Sequence, residues 1–435
     1  MKSKKDNQKQ KILIIGSGGR EHAVGWKIAQ SPRAGQIFFA PGNAGTEKMG
    51  INVDIKATEI SKLIEFAQKE KIDLTLALPD DPLALGIVNQ FKEAGLRIWG
   101  PTKEASELEW SKAFAKKFMT KYGIPTARFK NFHDYEQAKR SLTTERFPLV
   151  IKASGLALGK GVIICENKSE AEQALENLMI KKVFGEAGSE VIIEEYLSGT
   201  EISIHAFSDG KSWKILPPAQ DHKRVGEGDE GPNTGGMGTI SPLPFVSSEL
   251  MTKIEEEIVA KVILGMSNEN SSFVGCLFPG LMITEDGPKV LEFNTRLGDP
   301  ETQVYMRLLE TDLLEIVDAC IDGTLSEQEI KLKQNLSACN IVLASGGYPG
   351  DYEKGKVING IGGAEIDPEV IVFHAGTTIH EGKLVTNGGR VLGISATGST
   401  LESALTKAYK AIDKISFEGM QYRRDIGKSA LKLIK

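Results

Sequence analysis

Over residues 12–78 short all-apolar runs alternate with helical patterns, and this alternation constrains the fold more than any other feature of the chain. The run at 12–15 has the unbroken apolar character of a strand buried on both faces. A glycine turn, Gly16-Ser17-Gly18-Gly19, and the helical spacing of Ala23, Val24, Trp26 and Ile28 follow it. A second run at 37–40, a helix near 61–71 and a third run at 74–78 continue the pattern. Strands separated by helices pair in parallel and collect ligands at their carboxyl ends, so the chain is expected to open with an α/β unit.

Two such strand ends carry candidate ligand groups. At Gly18, Gly19 and Arg20, free backbone N–H groups and the helix dipole favour an anion. The dinucleotide fingerprint is broken there, because Glu21 stands where its third glycine belongs. Arg20 beside the glycines points to a small phosphorylated molecule; a plain tight turn is the other reading. Asp80, after the third run, either accepts hydrogen bonds from sugar hydroxyls or caps the next helix.

A second unit begins near Lys112, which opens a helix, and a linker at 123–126. There a strand at 149–152, a small-residue loop at 153–161 and a return strand at 162–164 form a hairpin. Backbone amides of the loop, Gly159 and Gly161 included, can close over phosphates while Lys152 and Lys160 supply charge; a merely flexible hairpin is the alternative. A Walker loop is excluded, since Gly161 replaces its Ser or Thr and a strand replaces its helix. The strand at 191–197 ends in Glu194, Glu195 and Tyr196, and 201–207 alternates as one half-buried strand. Such a strand-to-hinge segment can read adenine through backbone groups, with Glu201 on the ribose hydroxyls, unless the carboxylates are simply solvated.

Residues 220–241 show almost no apolar periodicity, and structureless loops of that length are functional or disordered. Asp221, Lys223, Arg224, Asn233 and Thr234 among Gly235, Gly236 and Gly238 favour an ordered substrate loop. Further on, PKVLEFNTRLGDPETQ (288–303) places Glu292 and Asn294 on one side of a strand and Leu291 and Phe293 toward the core. Two oxygen donors at a strand end suit Mg2+, and Arg296, Asp299 and Glu301 follow at once. The competing reading is a strand that runs into a solvated, salt-bridged loop. After an amphipathic helix at 311–321, a third unit of short strands, including 338–343, 372–375 and 391–394, is joined by turn-rich SGGYPGDY and TNGGR.

Length and charge narrow the function classes. At 435 residues the chain has room for about three domains of ~150 residues. With 53 basic and 58 acidic residues the net charge is -5, which disfavours nucleic acid as a partner. The cysteines at 165, 276, 320 and 339 have no paired spacing and the six histidines form no ligand set, which argues for a reducing compartment and against structural zinc. The start, MKSKKDNQKQK, is polar, and the apolar run after it is far too short for a signal or membrane segment, so the chain reads as cytoplasmic.

Taken in order, GGREHA (18–23), PGNAG (41–45), SKAF (111–114), GKGV (159–162), QDHKRVGEGDEGPNTGGMG (220–238), RLGDPETQ (296–303) and GGYPGDY (346–352) make the chain resemble the phosphoribosylamine-glycine ligase family of the ATP-grasp superfamily, over nearly everything from 12 to about 427. The resemblance implies a doubly wound N-terminal domain (1–110), an ATP-grasp domain (111–329) with a mobile lid at about 123–197, and a small C-terminal α+β domain (330–435). It implies ATP-dependent ligation of glycine to 5-phosphoribosylamine through a glycyl phosphate, with ATP as co-substrate and Mg2+ or Mn2+ as metal, and no obligatory protein partner.

By that resemblance the nucleotide is held by Lys112, Lys152, Gly159, Lys160, Gly161, Glu194, Tyr196, Leu197 and Glu201, and the metal by Glu292 and Asn294. Arg296, Lys152 and Asp221 are the implied catalytic groups; Gly18, Gly19, Arg20, Asp80, Lys223, Gly235, Gly236 and Asp299 are assigned to the substrates. The family's usual Pro-Glu-x-Pro-Leu is here Pro79-Asp80-Asp81-Pro82-Leu83, after Leu78 rather than glycine, and its Leu-Tyr-Ala-Gly is Leu277-Phe278-Pro279-Gly280. These departures are expected to alter substrate affinity rather than abolish chemistry. Three rivals remain: an ATP-grasp ligase with a different carboxylate and amine, an NAD-dependent oxidoreductase built on the first glycine turn, and a catalytically silent scaffold.

Overall fold

The computed structural model describes residues 9–155 and 161–433. Strands Gln10–Gly16, Ala34–Pro41, Ile51–Asn52, Leu74–Ala77 and Ile98–Trp99 form a parallel sheet in the spatial order third, second, first, fourth, fifth. Ile12, Leu13, Ile14 and Ile15 are fully buried, as a strand covered on both faces requires. The glycine turn leads into the helix Gly19–Ile28, and its first orphan amide is already satisfied: the Gly18 N–H donates to Glu21 Oε2 at 2.6 Å. Gly16 needs its freedom there, since φ is +118° and a Cβ would lie 2.6 Å from Glu21 Cγ. The residue that breaks the dinucleotide fingerprint therefore fills the turn.

A separate four-stranded antiparallel sheet consists of Phe129–Phe132, Leu149–Ala153, Val162–Cys165 and Val191–Glu195. Its core, with Leu149, Ile151, Cys165, Leu175, Leu178, Val191 and Ile193, draws only on residues of this segment. The last strand stops at Glu195, short of the expected 197, and Tyr196 beyond it is exposed.

The central sheet holds Thr200–Ser203, Ala206–Asp209, Trp213–Ile215, Val274–Thr284 and Gly287–Asn294, and it corrects two expectations. The single strand expected at 201–207 is broken at Ile204 and His205. Opposite the break, between the pairs Ser203↔Gly280 and Ala206↔Leu277, stand Phe278 and Pro279, and proline has no N–H to give a ladder. His205 turns inward at the break and its ring stacks on Phe278 at 4.1 Å. Leu291 does not face the core. A β-bulge opposite Gly280 and Leu281 makes it the extra residue, so Val290 and Phe293 are buried and Leu291 opens to a cleft.

A third sheet runs Gln220–Asp221, Gly238–Ser241, Ser337–Ala344, Arg390–Gly398, Val370–His374. Both ends of the glycine-rich 220–241 segment are thus strands paired toward the C-terminal region. The segment between is ordered and closed by a bridge between Arg224 and Asn233. The helix expected at 311–321 spans Leu313–Asp322, started by Asp312, whose Oδ1 accepts from the Leu314 N–H at 2.9 Å. All four cysteines are buried and unpaired. No helix among the described residues is long and apolar enough to cross a membrane.

Candidate active site

A cavity of about 470 Å3 opens where the parallel sheet, the separate antiparallel sheet, the central sheet and the glycine-rich loop meet. One wall is cationic. Lys152, on Leu149–Ala153, lies 2.9 Å from Glu194 Oε2 and donates to the Leu291 carbonyl at 3.1 Å. Lys116 Nζ lies 3.1 Å from the other oxygen of the same carboxylate. Lys112 and Lys116 sit one turn apart on the helix Lys112–Tyr122, whose N-cap Ser111 accepts from the Phe114 N–H. Burial pulls the Lys116 ammonium down to about 8 against the attraction of Glu194, and it lowers Lys112 as well.

The floor is the end of Gly287–Asn294. Burial would raise the Glu292 carboxyl, but Lys112, Lys223, Lys152 and Arg296 outweigh it and hold the group below its ordinary range. Asn294 Oδ1 accepts from Arg296 Nη2 at 3.1 Å. Arg296 is held by Glu109, with Nη2 to Oε1 at 3.0 Å, while Glu109 Oε2 takes the Thr295 N–H and O–H at 2.8 and 2.9 Å. Desolvation works against the guanidinium, yet Glu109 and Asp80 keep its affinity for a proton above the ordinary value.

Arg20 and Asp80 form the side nearest the parallel sheet. Arg20 pairs with Glu21 at 2.6 Å and donates to the Leu297 carbonyl at 3.1 Å. Asp80 begins the helix Asp80–Ala84, and although burial raises it, Arg296 and Arg20 hold it below its usual value. From the glycine-rich loop, Lys223 lies 3.1 Å from Asp221. Burial opposes its charge, but Asp221, Glu301, Glu201 and Glu292 together keep Lys223 well above an ordinary lysine. Burial and the carboxylates of Glu292, Asp221 and Glu301 push Glu201 up to about 7, with Lys223 opposing them.

The cavity therefore gathers Lys112, Lys152, Gly161, Glu194, Arg20, Asp80, Lys223, Gly235, Glu292, Asn294, Arg296 and Asp299. Other expected residues stand off its wall. Gly18 and Gly19 pack against Asp299 and Gln303, where Cβ atoms would meet Asp299 Oδ2 at 3.1 Å and Gln303 Nε2 at 2.5 Å. With its N–H already bound to Glu21, Gly18 offers no free amide to an anion, contrary to the sequence reading. Leu197 is buried beside the exposed Tyr196, and Glu201 is half-buried. Asp221 and Gly236 form a second layer: at Gly236 φ is +112° and a Cβ would lie 2.7 Å from both Asp221 carboxylate oxygens. Gly159 and Lys160 lie outside the described residues.

Sequence reasoning missed Glu109, Lys116, Tyr348 and Arg390, all on the cavity wall. The i, i+4 spacing of Lys112 and Lys116 was a usable signal for one of them. Tyr348 lies in the GGYPGDY motif and Arg390 in the TNGGR join, and neither was given a role in the site.

The chain matches the N domain of the phosphoribosylglycinamide synthetase family over residues 10–109, its ATP-grasp (A) domain over 110–302 and its C domain over 338–429. It is 47% identical over 431 residues to a phosphoribosylamine–glycine ligase of Chlorobaculum tepidum, covering 97% of this chain and 100% of that protein. The crystal structure of phosphoribosylamine–glycine ligase from Thermotoga maritima superposes with a TM-score of 0.84 at 39% identity, over 95% of this chain and 99% of that one. The biotin carboxylase domain of the Hydrogenobacter thermophilus 2-oxoglutarate carboxylase shares the fold alone, with a TM-score of 0.73 at 15% identity over 98% of each chain. The α/β architecture, a doubly wound N-terminal unit followed by an ATP-grasp fold and a C-terminal domain, and the matches along nearly its whole length show that this chain belongs to the phosphoribosylglycinamide synthetase family.

Proposed function

We propose that the protein ligates glycine to 5-phosphoribosylamine, converting ATP to ADP and phosphate and giving glycinamide ribonucleotide for purine synthesis in the cytoplasm. The observation that carries this reading is the single cavity in which Lys112, Lys152 and Gly161 face Glu292, Asn294 and Arg296, with Arg20, Asp80 and Lys223 on the adjoining walls. A carboxylate is a poor electrophile because its leaving group would be oxide. Transfer of the γ-phosphoryl group of ATP to glycine gives glycyl phosphate; the ribosylamine nitrogen then attacks its carbonyl carbon, the C–O bond to phosphate breaks, and the nitrogen loses a proton. No protein nucleophile is needed.

The chain's own groups supply position and charge. Lys152 and Lys112 face the transferring phosphoryl group, and Arg296, fixed by Glu109, neutralises charge that develops there; a well-placed arginine is worth about 10³ or more in rate. The hinge at Tyr196 and Leu197 reads adenine through its backbone, and Glu201 takes the ribose hydroxyls. Glycine lies between Asp221, Lys223 and Arg296, and the ribosylamine lies toward Asp80 and Arg20, beside Gly235 and Asp299. The separate core of the antiparallel sheet lets it move as a lid over the nucleotide.

A divalent cation fits Glu292 and Asn294. Glu109, Glu194, Asp221 and Asp299 are each ion-paired, whereas Glu292 makes no hydrogen bond or ion pair among the described residues. No group of three or more His, Cys, Asp or Glu residues there can hold a metal alone, so such an ion would share nucleotide phosphates and water, the usual habit of Mg2+. When bound it supplies charge neutralisation on the phosphates. The test is ADP release with ATP, Mg2+, glycine and 5-phosphoribosylamine generated in place, omitting each in turn. ADP formation that needs both glycine and the ribosylamine, with equimolar glycinamide ribonucleotide, is expected; ADP formed without either would overturn the reading.

A further inference from the structure

Besides its internal bridge between Arg224 and Asn233, the glycine-rich loop is held from outside. At its outer end, Arg423 donates to the Arg224 carbonyl at 3.1 Å and to Asp229 at 2.7 Å, and Asp425 accepts from the Gly228 N–H at 2.8 Å. At its cavity end the turn at Gly235 is held by two side chains from the C-terminal region. The Gly235 N–H donates to the Tyr348 hydroxyl at 2.9 Å. Arg390 Nη1 donates to the Gly235 carbonyl at 2.6 Å and to the Asp299 carbonyl at 2.7 Å, and its Nη2 lies 3.3 Å from Asp299 Oδ2. The guanidinium lies so close to this turn that a Cβ on Gly235 would meet its Cζ at 3.0 Å.

We propose that Arg390 and Tyr348 are positioning residues for ligation: they lock Gly235 and Asp299 into one frame on the side of the cavity that takes the ribosylamine. This rests on the substrate placement proposed above. Each contact of the pair has a chemical reason. A planar guanidinium serves two carbonyls and a carboxylate from one rigid fork, whereas a lysine offers a point charge on a flexible stem. The tyrosine hydroxyl is an acceptor for an amide that otherwise has none at this turn. Both residues border the cavity, and neither contacts the nucleotide wall formed by Lys152, Glu194 and Lys116. The clamp therefore acts on the substrate walls of the cavity rather than on the nucleotide wall.

The test compares full-length wild type with Arg390→Lys and Tyr348→Phe by two readouts. Hydrogen exchange of the peptide covering 233–238 should speed up in both variants. The kcat/KM for the ribosylamine should fall by about 10- to 100-fold in Arg390→Lys, the range for lost charge-assisted hydrogen bonds, while KM for ATP stays at the wild-type value. Unchanged exchange in both variants would overturn the proposal. So would an equal loss toward ATP and ribosylamine, since that marks a general structural role. A wild type that turns over no ribosylamine would sink the substrate reading instead, and the exchange comparison would then decide the clamp by itself.

Discussion

Replacing Glu194 by glutamine removes the carboxylate that Lys116 and Lys152 share, at 3.1 and 2.9 Å, in a place where all three side chains are at most 7% exposed. Taking one partner from a buried ion pair costs about 3–5 kcal/mol, because a charge is left without compensation. Here two lysines lose their counter-ion together, so the upper part of that range is expected. The companion variant, Lys116→Met, should behave in the opposite way. Lowering of this ammonium from 10.5 to about 8 corresponds to roughly 3 kcal/mol against its charged form, by the conversion of 1.36 kcal/mol per unit. Methionine abolishes that penalty and leaves Lys152 and Glu194 as a one-to-one pair, so at pH 7.5 the variant should be at least as stable as wild type, by up to about 3 kcal/mol. The sign with pH follows. Because the folded value lies below the unfolded one, the folded state binds fewer protons between about 8 and 10.5, and the wild type should gain stability on Lys116→Met as pH rises through that window. Urea unfolding followed by circular dichroism at pH 7.5 and 9.5 measures both effects. A Glu194→Gln midpoint equal to wild type, with Lys116→Met the more damaged protein, would refute the reasoning.

Glu292→Gln should lose at least about 100-fold in kcat and need more Mg2+, and it should also melt lower than wild type at neutral pH, because Lys112, Lys223, Lys152 and Arg296 favour the carboxylate in the folded state; thermal unfolding and a Mg2+ titration of ADP release check this. Glu201 is raised in the folded state, so its contribution to stability is present below about 4.5 and is lost as pH rises through about 7. Glu201→Gln should flatten that part of the stability profile, as measured by thermal unfolding from pH 5 to 8.

The parallel sheet, the hairpin at Lys152 and the strand ending in Glu292 and Asn294 were legible because each depends on local pattern: an apolar run, small residues between lysines, polar groups at a strand end. Leu291 was misplaced because a bulge leaves no mark in a two-residue alternation, and the break at His205 depends on Pro279, more than seventy residues away. The Gly18 amide expected to be free is bonded for a local reason, the side chain of Glu21 three residues on. Glu109 could not be recognised as the partner of Arg296 until the fold brought residues 187 positions apart within 3.0 Å. Arg390 and Tyr348 were hidden in the same way, since a turn's sequence tells how the chain bends and not what its side chains will face.

The central claim is that ATP activates the glycine carboxylate as an acyl phosphate. Glycine labelled with 18O in both carboxylate oxygens tests it directly, with mass spectrometry of the phosphate and the amide formed in a single incubation with ATP, Mg2+ and the ribosylamine. Each phosphate released should carry one 18O and each glycinamide ribonucleotide should keep one in its carbonyl. Phosphate free of 18O beside a labelled amide would contradict the acyl phosphate and the arrangement of Lys152, Arg296 and Glu292 read from this cavity.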